Sequence, residues 1–197
     1  MSGVTVVLAT HNAHKVEELR RILGARLDGI ELIGYDGPEP IEDGATFAEN
    51  ALIKARAAAR HTGMPAIADD SGISVDALSG APGINSARYA GTRDDADNRE
   101  LLLANLGESE NRRAHFTCAA AFVDGSHEHV ETAEWSGTIL RRAVGTGGFG
   151  YDPVFRPDGL AVSAAELAPD EKNAISHRSQ AFAHLIPLLR QRLLGVA

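Results

Sequence analysis

Three groups of residues have the types and spacing for phosphate and proton chemistry. Asp69 and Asp70 stand together after a short apolar run, Ala66-Ile67-Ala68, and before Ser71-Gly72. A carboxylate at a strand end, beside a serine and a glycine, is placed to hold a hydrated metal ion or to take a proton from water. Adjacent strand residues point to opposite faces, so the two acids are expected to do different jobs. All four residues also favour turns, which makes a plain Asp-Asp-Ser-Gly turn the competing reading. The second group is Thr10-His11-Asn12-Ala13-His14-Lys15, between an apolar run and a helical pattern. A helix start favours an anion through its N–H groups and dipole, and here Thr10 and Asn12 add neutral donors and Lys15 a charge. The chain contains no Gly-Lys pair, so this is not a Walker loop. A simple N-cap by Thr10 or Asn12 is the commoner use of such residues, and from spacing alone His11 and His14 read as solvated. The third group is Lys172, His177 and Arg178, three donors near a helix start. A guanidinium can pair with O6 and N7 of a keto purine, whereas a 6-amino group would set donor against donor. Ordinary surface residues are the alternative, although a cation at a helix N-terminus is electrostatically unfavourable.

These groups need elements to position them. Val4–Ala9 is continuous and β-branched, as a buried strand is, and leads through the Thr10–Lys15 loop into a helix with Val16, Leu19, Ile22 and Leu23 on one face, stopped at Gly24. Ile30–Ile33 reads as a second strand, followed by a loop carrying Glu39, Glu42 and Asp43. Thr46 and Glu49 form a capping box for a helix to about Arg60, with His61-Thr62-Gly63 as its exit and Phe47, Ala51, Ala55 and Ala58 on a close-packing face. Glu42 stands shortly before that helix. Lys54 lies on it, and by spacing alone is an exposed helix lysine. The Asp69-Asp70 run is expected to break at Ser71-Gly72 and resume through Val75. Ser79–Gly83 reads as a tight turn. Arg88 follows as either a phosphate ligand or an ion-pair partner, and Asp94 or Asp95 then caps a helix closed by Gly107.

His115–Val123 and Glu128–Leu140 read as two long strands of a hairpin through Asp124-Gly125-Ser126. Cys118 lies among small apolar residues and reads as core, and His127-Glu128-His129 as hairpin surface. Gly145–Pro153 contains the letters of a dinucleotide fingerprint, but Pro153 and the aromatic run oppose the helix that the fingerprint needs. A glycine-dense loop with exposed Phe149 and Tyr151 suits close backbone approach to a ligand, with a ring to stack on a base. Core aromatics in a β-turn are the alternative. A short helix is expected at Ala164–Leu167, and a last one from Ser176 that Pro187 should kink or divide.

The totals narrow the classes of function. The 197-residue chain has 19 basic and 27 acidic side chains, a net charge of -8, which argues against a general nucleic-acid binder. A small phosphorylated substrate remains open, since a metal and a few cations can meet its charge. One cysteine allows no internal disulfide or thiolate zinc cluster, which fits a reducing cytoplasm. The opening MSGVTVVLATHN is expected to be no signal peptide, and no membrane span is expected.

Together the blocks closely resemble the inosine-triphosphate pyrophosphatases, or dITP/XTP diphosphatases, which remove non-standard purine nucleotides from the nucleotide pool. The family's opening Ser/Thr-x-Asn-x-x-Lys is Thr10 to Lys15, and its T-F-x-E-N-A-x-x-K-A block is Thr46 to Ala55. A-D-D-S-G-L-x-V-D is Ala68 to Asp76, with Ile73 in the Leu place, and G-A-P-G-x-x-S-A-R is Gly80 to Arg88. G-G-F-G-Y-D-P-x-F is Gly147 to Phe155, and S-H-R is Ser176 to Arg178. The main departure is His11, where many members carry a small residue.

The resemblance implies an α/β fold, an elongated mixed β-sheet flanked by helices, as a single domain over 1–197 whose two lobes have an active-site cleft between them. It implies a homodimer; the cysteine usage, net charge and lack of a long apolar run separately lead to the expectation of a cytoplasmic protein that binds neither nucleic acid nor membrane. It implies that Thr10, His11, Asn12, Ala13, His14 and Lys15 line a triphosphate site, and that Lys54 is a phosphate contact. Glu42 and Asp70 match Mg2+ ligands, and Asp70 also matches the catalytic base. Ser71 would touch substrate. Phe149, Gly150, Tyr151 and Asp152 would line the base pocket, while Lys172, His177 and Arg178 would recognise the 6-keto purine. The implied substrates are ITP, dITP and XTP. Asp69 is a candidate for a supporting or alternative metal group. Two rivals are a related pyrophosphatase preferring pyrimidine or modified bases, and a non-catalytic nucleotide sensor. The pairing of Glu42 with Asp70 speaks against the sensor, and the lack of an accompanying phosphatase pattern speaks against a phosphomonoesterase.

Overall fold

A computed structural model describes residues 3–195. Six strands form one mixed sheet in the order β2-β1-β3-β4-β5-β6. They are β1 (Val4–Leu8), β2 (Ile30–Gly34), β3 (Ala66–Val75), β4 (Arg113–Asp124), β5 (His127–Ile139) and β6 (Phe155–Pro157). The helices are α1 (Ala13–Leu23), α2 (Phe47–Thr62), α3 (Asp95–Leu106), α4 (Pro169–Ile175) and α5 (His177–Leu194). β1 pairs in parallel with β2 and β3, and β5 pairs antiparallel with β6, so the mixed sheet expected from the sequence is present.

The chain divides into two compact units. The first takes the residues up to Asp70, Cys118–Ala133 and those from Arg178 on; the second takes Ser71–Thr117 and Glu134–His177. In the first unit the strand alternation sorts two cores. Val6, Leu8, Ile67, Cys118, Ala120 and Phe122 pack with α1 and α5, while Val7, Ala66, Ala68, Ala119, Ala121 and Val123 pack with Ala51, Ala55 and Ala58 of α2. Alanines on both partners let α2 approach the sheet closely, as its small-residue face predicts. In the second unit Ile73, Val75, Leu102, Leu106, Phe116, Trp135, Ile139 and Phe155 form one core.

The helix ends follow the sequence signals. Asn12 caps α1 by accepting from the Lys15 N–H at 3.2 Å, and Gly24 closes it. Thr46 caps α2 by accepting from Glu49 N at 3.1 Å; the Glu49 carboxylate reaches Ala45 N, one residue beyond the usual capping box. α2 runs to Thr62, two residues past the expected Arg60, because Gly63 takes the left-handed conformation there.

Four expectations are corrected. Ser71-Gly72 do not break the run, and β3 is one continuous ten-residue strand. It has β1 on one side and β4 on the other, so the sheet supplies the backbone partners that a turn would otherwise provide. Pro187 does not divide α5. Pro187 and Ala183 both lie on the exposed side, where water can take up the carbonyl left without its helical N–H. α4 forms between the two expected C-terminal helices, with Pro169 in its first turn. Tyr151 is not exposed: its ring lies in the second unit's core and its hydroxyl donates to Ser86 O at 2.8 Å.

Candidate active site

The alternation that sorts the cores also separates the two acids. Asp69 continues the Ile67 side of β3, toward α1 and α5; Asp70 continues the Ala66 and Ala68 side, toward α2. Lys15, in the first turn of α1, donates to Asp69 Oδ2 at 2.9 Å. Arg178, in the first turn of α5, donates to the same oxygen from Nε and Nη2, each at 3.2 Å. Its Nη1 pairs with Glu18 of α1. Asp69 and Arg178 are 1% and 2% exposed, so this is a buried chain of charges, Lys15, Asp69, Arg178, Glu18. Burial would raise the Asp69 carboxyl, but Lys15 and Arg178 outweigh it and hold the group well below the usual carboxylate range.

On the other face, Lys54 of α2 donates to Asp70 Oδ1 at 2.9 Å and to Glu42 Oε2 at 3.1 Å. Lys54 is not the exposed helix lysine that spacing suggests; its side chain is 12% exposed. Burial tends to lower its ammonium, but Asp70, Asp69 and Glu42 together raise it. For Asp70 the balance goes the other way: burial raises the carboxyl and exceeds the pull of Lys54 and Lys15. Two neighbouring carboxyls are thus shifted in opposite directions, the arrangement by which one backbone supplies two different chemistries.

The segment bearing Glu42 is held to α2 rather than loose. Asn50, almost fully buried, accepts from Gly44 N at 2.9 Å, and Glu49 accepts from Ala45 N. A side chain at position 44 would begin 2.7 Å from Asn50 Oδ1, so only glycine permits this approach.

The Thr10–Lys15 loop presents His11, Asn12, Ala13 and His14 to solvent, with Thr10 and Lys15 half-buried. Thr10 Oγ1 accepts from Asn12 N at 3.2 Å. The His11 ring packs 5.5 Å from Tyr35, and its Nε2 donates to Gly37 O at 3.0 Å. His11 is therefore anchored to the segment leading to Glu42 instead of standing free in solvent.

In the second unit, Asp152 and Lys172 are buried and pair at 2.7 Å. Asp152 Oδ2 also accepts from Phe149 N at 2.9 Å, and the Lys172 ammonium lies 5.0 Å from the centre of the Phe149 ring. Gly148, at φ 69°, makes this possible, since a Cβ there would fall 2.1 Å from Asp152 Oδ2. His177, 4% exposed, stacks on Phe116 at 4.8 Å with the rings 7° apart. Lys172, His177 and Arg178 are thus all buried, which overturns the ordinary-surface alternative. Ser71 is half-buried on β3 directly after Asp70, and Arg88 is exposed.

Chemically, Glu42 and Asp70 present two carboxylates to one positive charge, the Lys54 ammonium. The donors are hard oxygens, suited to a divalent cation whose other ligands are water and phosphate. Among the described residues no group of three or more His, Cys, Asp or Glu side chains converges, so the donor set is not an all-protein cage. Around β3 four carboxylates, Glu18, Glu42, Asp69 and Asp70, face three cations, Lys15, Lys54 and Arg178. A polyanion gains little from that balance until a further cation joins.

Glu18 escapes reading from sequence because its partner is 160 residues away. The available signal was its place among Lys15, Leu19 and Ile22: an acid beside an apolar helix stripe implies a buried counter-charge.

Residues 6–188 match the Ham1 family. A protein of Leifsonia xyli subsp. xyli named dITP/XTP pyrophosphatase is 56% identical, covering 95% of this chain and 96% of its own. The Staphylococcus aureus Ham1 protein structure superposes with a TM-score of 0.86 at 37% identity, covering 95% of this chain and 99% of its own. The Mycobacterium abscessus structure titled nucleoside-triphosphatase / dITP/XTP pyrophosphatase gives 0.75 at 45% identity, covering 95% and 100%.

Proposed function

Because the chain belongs to the Ham1 family, we propose that it is a Mg2+-dependent nucleoside triphosphate pyrophosphohydrolase that converts ITP, dITP and XTP to monophosphate and pyrophosphate. One observation carries the reading: consecutive carboxylates of β3 engage two different lysines, Lys15 and Lys54, the first of them beside the exposed Ala13 and His14 at the start of α1.

In this reading the phosphates take the Thr10–Lys15 turn, where helix N–H groups and the α1 dipole favour negative charge. An ammonium has three donors, so Lys15 and Lys54 can each keep a carboxylate and still reach a phosphate oxygen. Glu42 and Asp70 would hold Mg2+, which when bound supplies the positive charge that the carboxylate-rich site lacks. Asp70 orients a water and takes its proton as the water oxygen bonds to the α-phosphorus. The bond from that phosphorus to the bridging oxygen breaks, and its electron pair leaves on pyrophosphate. Lys15 and Lys54 stabilise that leaving charge. Asp69 is assigned no proton transfer, because its Oδ2 is already shared by Lys15 and Arg178; it holds Lys15 in place. Lys172 and His177 are assigned to the base. Arg178 is assigned to the purine as well: three of its five N–H donations go to Asp69 and Glu18, so it also sets Asp69. The reading also includes a cytoplasmic homodimer, which light scattering of the purified protein tests. No helix of the described residues is long and apolar enough to cross a membrane.

The deciding experiment is product analysis with Mg2+ and, separately, dITP, XTP, dGTP, dATP and dTTP, detecting pyrophosphate and free phosphate independently. Pyrophosphate mainly from dITP and XTP supports the reading. Free phosphate, or a preference for dTTP, overturns it, and tight binding without turnover points to a sensor. Asp70→Asn is expected to retain nucleotide binding and lose most turnover; near-normal turnover would remove Asp70 as the base.

A further inference from the structure

The loop from Gly145 to Gly150 contains Gly145, Gly147, Gly148 and Gly150, three of them at positive φ. Such a segment has little side-chain packing to fix it and a large backbone entropy to lose, so its conformation must be imposed from outside. Gly147 N donates to Ala165 O at 3.0 Å and Phe149 N to Asp152, and at Gly150 the imposition comes from α3. Asp95 Oδ2 accepts from Gly150 N at 2.7 Å, and Arg99 Nη1 donates to Gly150 O at 2.7 Å. Both polar groups of one glycine are therefore held by charged side chains one helical turn apart, and charged partners make the stronger hydrogen bonds.

The same face of α3 holds a second segment. Asn98, buried between Asp95 and Leu102 on that stripe, accepts from Ala90 N at 2.8 Å and donates to Ala87 O at 3.3 Å. The Tyr151 hydroxyl then links the two segments by donating to Ser86 O. Directly beyond Gly150, Asp152 fixes Phe149 N and Lys172. Gly150 is thus the point at which α3 sets where Phe149 and Asp152 stand.

We propose that Asp95 and Arg99 are positioning residues that clamp Gly150 and thereby set nucleobase selectivity. The inference rests on the reading above, in which the Phe149–Asp152 loop meets the base. Neither residue touches substrate in this scheme. They act by holding Gly150, whose two backbone polar groups they alone engage among the hydrogen bonds described above, in the conformation that places Phe149 and Asp152 for a 6-keto purine.

The test uses the full chain with Asp95→Ala, Arg99→Ala and the conservative Asp95→Asn, which keeps an oxygen to accept from Gly150 N. Two quantities are measured: the ratio of kcat/KM for dITP to that for dATP, whose 6-amino group breaks the 6-keto match that dGTP would share, and amide hydrogen exchange of the peptide spanning 147–153. Each alanine variant is expected to reduce the dITP preference about tenfold, the order for a lost hydrogen bond to a charged group. The change should lie in KM rather than kcat, with faster exchange confined to that peptide. Asp95→Asn should restore most of both. Faster exchange with unchanged preference overturns the selectivity claim, and unchanged exchange overturns the clamp itself. A wild-type protein that cleaves none of the nucleotides defeats the pyrophosphatase reading and the selectivity claim with it, while the exchange data still decide the clamp.

Discussion

Replacing Asp69 by asparagine isolates the buried charge chain. The substitution keeps the shape of the side chain and removes one negative charge from a position that is 1% exposed. Lys15 at 2.9 Å and Arg178 at 3.2 Å then face a neutral amide in place of a carboxylate, while Arg178 keeps Glu18. Removing one partner of a buried pair costs about 3–5 kcal/mol, because the other charge stays desolvated. Asparagine still offers an oxygen and Glu18 still faces Arg178, so the lower end, about 3 kcal/mol, applies. For a chain of this size each kcal/mol moves Tm by about 2–4 °C, giving a fall of roughly 6–12 °C. The assay is thermal unfolding at neutral pH without nucleotide or divalent cation, backed by urea titration. Adding Arg178→Met together with Glu18→Gln should recover part of the loss, since the remaining buried cation and the carboxylate it pairs with then lose their charges together. A Tm within about 2 °C of wild type, less than 1 kcal/mol on the same scale, would refute the reasoning, as would a triple variant no more stable than Asp69→Asn alone.

Three further outcomes are expected. Lys54→Met keeps the buried stem but leaves Glu42 and Asp70 facing each other without their shared cation; kcat/KM for dITP should fall about 100-fold or more, and a change under about threefold would remove Lys54 from the chemistry. Gly148→Ala forces a Cβ into Asp152 at a positive φ and should cost at least about 1–3 kcal/mol in urea unfolding; neutral stability would show that the loop relaxes freely. Cys118 is fully buried, and burial pushes its thiol well above the ordinary range, so it should resist thiol reagents in the native protein and react once unfolded; rapid native labelling would contradict the packing.

Local chemistry was legible in the sequence, and distant pairing was not. Thr46 with Glu49, Asn12, Asp94 and Gly63 act through neighbours a few residues away, so their positions announce the helix ends. Strand alternation likewise told Asp69 from Asp70 before any partner was known. What each acid meets depends on α5 and α2, brought in by the sheet from far along the chain. Ser71-Gly72 misled because local turn preference yields to a strand with neighbours on both sides. Lys54 misled because helix spacing says nothing of which side the acidic segment covers. Tyr151 misled because glycines around an aromatic suggest access, whereas its ring completes a core. The family resemblance located the Phe149–Asp152 loop, but the α3 residues holding it carry no motif that names them.

The single, buried thiol has a practical side. With Cys118 shielded inside the first unit, any cysteine placed at the surface becomes a unique attachment point for a dye or spin label. Ile41 is 82% exposed and precedes Glu42 directly. A label at Ile41→Cys would ride on the acidic segment while Gly44 and Ala45 remain tied to α2. Its emission or mobility on adding Mg2+ or nucleotide would follow the carboxylate side of the site in real time, independently of turnover.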